Sequence, residues 1–198
     1  MKHALLIFAL ALALPCFATD IVLYSTTAPT ATGAPAPVPK TGQTTSYQSG
    51  DDGTLQKGVA LPSPRFTVQS NTNCILDNLT GLIWAYNANQ YNAVTWSNAL
   101  ISATNSYGGR TDWRLPTITE LMSLIHYGYA SPCIPNTVGT SKWTTGNPFI
   151  GIATAAEYWS STTRPNTTTQ AMTFYFGQCY QNVGAKTSTL LVWPVAGP

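Results

Sequence analysis

The stretch Asp112-Trp113-Arg114-Leu115-Pro116-Thr117-Ile118-Thr119-Glu120-Leu121 decides how this chain is read. Thr117 and Glu120 stand three residues apart directly after Pro116, the spacing of a capping box that opens a helix. Ile118, Leu121, Met122 and Ile125 then trace one face at helical spacing, so a helix is expected from Thr117 to about Gly128. Upstream of the cap, Trp113 and Leu115 are expected to enter the core, with Arg114 satisfying carbonyls or a carboxylate. Core entry and capping account for every residue of the box, so it reads as a fold marker and not as a ligand contact.

Working outward, Thr95 stands before Trp96, Ala99, Leu100 and Ala103, a second amphipathic pattern that ends before Tyr107-Gly108-Gly109. Arg65 to Gln69 alternates like a strand. Cys74 to Asp77, then Thr80 to Trp84, reads as strand, turn and buried strand. Beyond the second helix, residues 129–156 are rich in Pro, Gly, Ser, Thr and Asn without periodicity, which predicts a long irregular loop of the kind that carries function. Strands return at Glu157 to Ser160, Ala171 to Phe176 and Leu190 to Val195. Tyr158-Trp159 is expected in the core. Strands, two helices, a long loop and strands again indicate an α+β fold with antiparallel sheet.

The N-terminus has a different character. Lys2 and His3 precede the apolar run Leu5 to Leu14 and the small residue Ala18, the layout of a secretory signal peptide over residues 1–18. Ten apolar residues are too few to span a bilayer. Cys16 offers lipoprotein processing as a rival, but Pro15 stands where a small residue is wanted, so cleavage after Ala18 is preferred. Residues 19–39 hold a short β-prone run, Ile21 to Tyr24, and then a Thr-, Ala- and Pro-rich linker. One domain is expected over residues 40–198. Later apolar runs are short, so no integral membrane segment is expected.

Composition narrows the function. Charged residues make up 8% of the chain, against ~25% in ordinary soluble proteins. Removing Lys2 with the leader leaves eight basic against seven acidic residues, a net charge of +1, which gives no basic carpet for nucleic acid. His126 would be the one histidine left, read as part of the second helix, and the acids are Asp20, Asp51, Asp52, Asp77, Asp112, Glu120 and Glu157. So small a pool of acid–base and metal-ligating groups argues against an enzyme, and no cofactor or metal is expected. Asp51-Asp52-Gly53 could offer oxygens to calcium, but the triplet reads first as a turn.

Several ordered motifs carry a resemblance. The Trp113 box, Tyr158-Trp159-Ser160-Ser161-Thr162, Val192-Trp193-Pro194-Val195, Arg65-Phe66-Thr67, Pro39 to Thr44 and Asp77 to Trp84 together resemble the Lcl C-terminal domain family, named for the Legionella collagen-like adhesin. The resemblance implies a C-type-lectin-like fold and kinship with sulfatase-modifying enzyme domains. It also implies a secreted or cell-surface adhesion module that recognises a glycan or another surface polymer. The family's adhesin is a trimer that binds sulfated glycosaminoglycans. Where members often end Pro-Val-Arg, this chain has Pro194-Val195-Ala196, which with the low charge weighs against a sulfated ligand.

Lectin-like domains place binding residues on loops, so binding is expected on a face formed by the 129–156 loop, the Arg164 turn and the late hairpin. Lys142, Trp143 and Arg164 supply cationic and aromatic groups that suit sugar faces and anionic substituents. Trp143 could equally pack beneath its own loop. Tyr175 and Tyr180 flank the late hairpin, and strand alternation predicts one of them buried. Cys133 and Cys179 are the preferred disulfide, joining the loop to that hairpin, with Cys74 left over or linking subunits. The alternative function is structural. In that reading the chain is the subunit of an extracellular filament, a homo-oligomer in which Ile21 to Tyr24 adds as a strand to a neighbour.

Overall fold

The computed structural model describes residues 38–69 and 73–197, so the expected signal peptide, the Ile21–Tyr24 strand and nearly all of the linker lie outside the described residues. Elements follow in the order α1 (Asp52–Leu55), β1 (Phe66–Gln69), β2 (Cys74–Asp77), β3 (Ile83–Ala85), α2 (Trp96–Ser102), α3 (Ile118–Ser123), β4 (Tyr158–Thr163), β5 (Gln170–Tyr175), β6 (Tyr180–Ala185) and β7 (Val195–Ala196). The fold is α+β, with two antiparallel sheets and three short helices among the described residues. One sheet has the order β1-β2-β3-β7 and the other β4-β5-β6.

The first sheet grows from local signals. Phe66 pairs with Asp77 and Ile75 with Trp84, so β1 to β3 form the expected meander. The β2–β3 turn is closed by Asp77, whose carboxylate accepts the Leu79 backbone N–H at 2.9 Å and the Thr80 hydroxyl at 3.0 Å. The same carboxylate takes Arg65 Nε at 2.9 Å and Nη2 at 2.8 Å, and both side chains are fully buried. Arg65 reaches on to the Ser123 carbonyl at 2.8 Å and so ties this sheet to the end of α3.

Trp193 joins the halves of the core. Its ring lies 5.2 Å from Trp84, 4.9 Å from Phe149 and 5.7 Å from Phe176, and its indole N–H donates to the Ala85 carbonyl at 2.9 Å. A smaller cluster packs Ala99 and Ala103 of the α2 segment with Leu115, Trp159 and Val192. Tyr158 and Trp159 are both buried, as expected of a core strand.

The box performs its structural part. Trp113 and Leu115 are buried, Arg114 donates to both Glu120 oxygens at 2.8 and 2.6 Å, and the Thr117–Glu120 capping box is complete. The helix is shorter than its apolar pattern predicts. The Ile125 N–H already bonds Met122, and the His126 N–H turns away to the Cys133 carbonyl, so His126 lies past the helix and not in it. Thr95 sits at the α2 N-cap without a side-chain capping bond; the helix start is held instead by Trp96, whose ring N–H reaches the Ser160 carbonyl at 2.8 Å.

Two further expectations change. Asp51-Asp52-Gly53 is more than a turn: Asp51 accepts the Thr54 N–H and caps the single-turn α1. The predicted C-terminal strand divides its partners, Leu190 bridging Val94 and Leu191 bridging Tyr158, so that Val195–Ala196 alone joins β3. Pro194 lacks the N–H that continuous pairing would need. Residues 124–157 contain no named helix or strand, in keeping with the predicted long loop. No helix among the described residues is long and apolar enough to cross a membrane.

Candidate ligand-binding face

The late hairpin is fixed from beneath. Cys179, at φ 62°, donates its N–H to the Tyr175 carbonyl at 2.9 Å and closes the β5–β6 turn, and its sulfur is joined to Cys133 in the long loop. The preferred pairing is therefore the disulfide present. Gly177 lets the turn settle on the loop, since a Cβ there would stand 2.1 Å from the Thr154 carbonyl oxygen. Gly184 does the same for β6, which rests on the Trp159 ring. Cys74 lies buried at the start of β2, its Sγ 3.8 Å from the Gly108 carbonyl oxygen.

On this base sits an open depression of about 700 Å³, lined among others by Glu157, Tyr175, Gln178, Tyr180, Asn182 and Ser188. Tyr175 and Tyr180 are direct cross-strand partners, their ring centroids 5.4 Å apart at 67°. Partners in an antiparallel pair project to the same face, so neither ring is buried, contrary to the alternation argument. Alternation applies along one strand, and these residues belong to two.

Glu157 accepts the Thr173 hydroxyl at 2.6 Å and the Asn182 amide at 2.7 Å. A carboxylate has about four acceptor positions, so capacity remains toward the depression. The face thus combines aromatic surfaces, one carboxylate, side-chain amides and a hydroxyl, and its lining contains no lysine or arginine. It is chemically suited to a hydroxyl-rich, uncharged ligand and poorly suited to a polyanion. Sequence reasoning singled out the two tyrosines but not Glu157, Gln178 or Asn182; the amides of Gln178 and Asn182, each two residues from Tyr180, were the available signal.

The other predicted residues stand elsewhere. Lys142 is exposed and reaches the Ser131 carbonyl at 3.4 Å. Trp143 is half-buried, packs on the main core and donates its ring N–H to the Phe149 carbonyl at 2.9 Å, which is the alternative of packing beneath its own loop. Arg164 holds the Gln170 side chain at 2.6 Å. That places it at the far end of β5 from Tyr175, about 17 Å away at the rise of a strand. The structure brings together Tyr175 and Tyr180 and does not bring Lys142, Trp143 and Arg164 into their depression.

His126 belongs to neither group. It is buried, stacks on Tyr129 at 4.3 Å, and accepts the Gly128 N–H at Nδ1. Burial, and then the charge of Arg65, lower its pKa below the ordinary 6.5.

The family model for the Lcl C-terminal domain matches residues 73–196, more than half of the chain. The chain belongs to the Lcl C-terminal domain family. It is thus an adhesin-related extracellular module by family, and the match takes in the whole hairpin depression, the disulfide and the Trp113 box. A comparison with curated proteins gives no match. The segment Val38 to Leu61 lies upstream of the matched Lcl domain, although it packs against residues inside it: Thr41 accepts the Tyr127 N–H at 2.8 Å.

Proposed function

We propose that this Lcl-domain protein is a secreted or cell-surface binding module, without catalytic activity, whose hairpin depression takes a glycan or a similarly hydroxyl-rich surface polymer. The observation that carries this reading is the pair Tyr175 and Tyr180, held in one open depression with Glu157 and Asn182. Aromatic rings offer apolar faces to sugar C–H groups, while carboxylate and amide groups take hydroxyls. The C-type-lectin-like fold implied by the family agrees with such a role.

A non-catalytic role is supported by what the acids do. Among the described residues, Asp77, Asp112 and Glu120 are paired with arginine, Asp51 caps α1, Asp52 accepts the Thr41 hydroxyl, and Glu157 holds Thr173 and Asn182. A glycan-array screen of the exported chain tests the reading. Tyr175→Ala with Tyr180→Ala should remove retention on the array hit with no change in melting temperature; retention equal to wild type would refute the site.

A filament subunit is the second reading, favoured by one observation: β6 is an edge strand of its sheet. Edge strands accept an added strand, and Ile21 to Tyr24 of a neighbour would be the donor. Light scattering separates the readings, because a filament subunit polymerises and loses that property when residues 19–38 are deleted, whereas a lectin remains a small oligomer.

A further inference from the structure

A second aromatic cleft lies where the segment upstream of the family match packs on residues inside it. Tyr47 and Tyr127 are 80% and 52% exposed, and both line a depression of about 380 Å³ together with Gln43, Thr44 and Asp52. An adjoining depression of about 460 Å³ shares Gln43 and Thr44 with it and continues to Tyr129. The two adjoin through these shared residues.

Scattered exposed aromatics are ordinary. Here, however, the backbone beneath both rings is anchored at several points. The Asp51 carboxylate accepts the N–H groups of Tyr47 at 2.6 Å and Gln48 at 3.2 Å while also capping α1. The Thr41 hydroxyl donates to Asp52. Gly53 lies so close to the Thr45 backbone that a Cβ would stand 2.0 Å from its carbonyl oxygen, and Gly42, at φ +88°, lies against the His126 ring. The Tyr127 N–H is held by the Thr41 carbonyl. A backbone anchored in this way loses little freedom when a ligand arrives, which favours preorganised recognition.

The chemistry of the cleft selects the ligand class. Asp52 is the one carboxylate in the lining and Lys40 the one ammonium, so the charges offset each other; the remaining polar side chains are amides, hydroxyls and the His126 imidazole. We propose that this cleft is a second binding site, for a neutral oligosaccharide chain, with Tyr47 and Tyr127 as stacking platforms and Gln43 and Asp52 as hydrogen-bonding partners. The site is independent of the hairpin depression and stands or falls separately from it.

Calorimetric titration of the full exported chain with cellohexaose, laminarihexaose and chitohexaose, and with heparin as the charged comparison, tests the assignment. At least one neutral hexasaccharide should bind with an affinity that is the same at low and high salt. Replacing Tyr47 and Tyr127 together by Ala should weaken it on the order of tenfold or more, while Phe at both positions preserves the rings and most of the affinity. Unchanged melting temperatures would establish that the Ala variant is folded, and a thermally destabilised one is replaced by Gln43→Ala, which should weaken binding without touching either ring. The proposal is overturned if none of the neutral hexasaccharides binds, if only heparin binds, or if the Ala variant binds as wild type. Should Tyr180→Ala alone remove the binding, the hairpin site stands and this one fails; should only the Tyr47 and Tyr127 changes matter, the reverse holds.

Discussion

Asp77 and Glu157 are both carboxylates attached to a three-strand meander, and they are used in opposite ways. Asp77 is sealed with Arg65 inside the first sheet, every approach occupied by a guanidinium, a backbone N–H or a hydroxyl. Glu157 lies half-buried at the edge of the second sheet, holding two neutral donors and facing an open depression. A charge closed off from water must be matched fully or it destabilises the fold, whereas one left at the rim can exchange a partner for a ligand. Asp77 therefore serves stability, whereas Glu157 is placed where a ligand can reach it. Between these extremes stands Glu120, paired with Arg114 and bound into the α3 capping box, its side chain 17% exposed.

The comparison breaks most visibly at Asp77. Asp77→Ala leaves the buried Arg65 guanidinium without its counter-charge, and the expected loss is about 3–5 kcal/mol, read from denaturant unfolding. A loss below about 1 kcal/mol would mean that Arg65 reaches water and that the sealed description is wrong.

Glu120→Ala should cost about 1–2 kcal/mol, because it removes a capping-box partner and leaves Arg114 at a position it can still solvate. The same carboxylate supplies a pH test. Burial acts to raise its pKa, but the hydrogen bonds from Arg114 and Thr117 prevail and hold it below the ordinary 4.5. Its folded pKa is thus lower than its unfolded one, so its contribution is complete above pH 4.5 and is lost as pH falls through the folded value. The stability difference between wild type and Glu120→Gln should shrink over that acid range. A difference independent of pH would show that the ionised form is not what stabilises the cap.

The smallest structural effect belongs to Glu157. Glu157→Gln keeps the shape and most hydrogen bonds, so the melting temperature should stay within a degree or two for a domain of this size. If the hairpin depression is the binding site, affinity for the array ligand should nonetheless fall about tenfold through loss of a charge-assisted hydrogen bond. A variant that unfolds early would place Glu157 with Asp77 and dissolve the contrast.

Much of the scaffold was legible because its signals are local. Thr117 and Glu120 mark a helix start within three residues, the alternation of Arg65 to Gln69 marks a strand, and the apolar Cys74 to Leu76 before the turn at Asp77 marks its partner. The end of α3 was not legible, since the apolar pattern runs on through Ile125 while the His126 N–H is diverted to Cys133 by tertiary pairing. Nor was α1, whose single turn depends on Asp51 gathering Tyr47, Gln48 and Thr54 around one carboxylate. Within the predicted binding face, Tyr175 and Tyr180 stayed together because a short turn sets their register, whereas Arg164 was separated from them by the length of β5.

By itself, then, the sequence determined the α+β class, the family-bearing motifs and the elements whose caps and alternation lie within a few residues of one another. The tertiary structure alone decided which side chains share a surface: Glu157 beside Asn182, 25 residues on, and Tyr47, upstream of the family match, in one cleft with Tyr127 inside it. The physical reason is one of range. Capping and periodicity act through neighbouring backbone groups, while a binding surface is assembled by strand register, disulfide closure and backbone approach between segments that no local pattern connects.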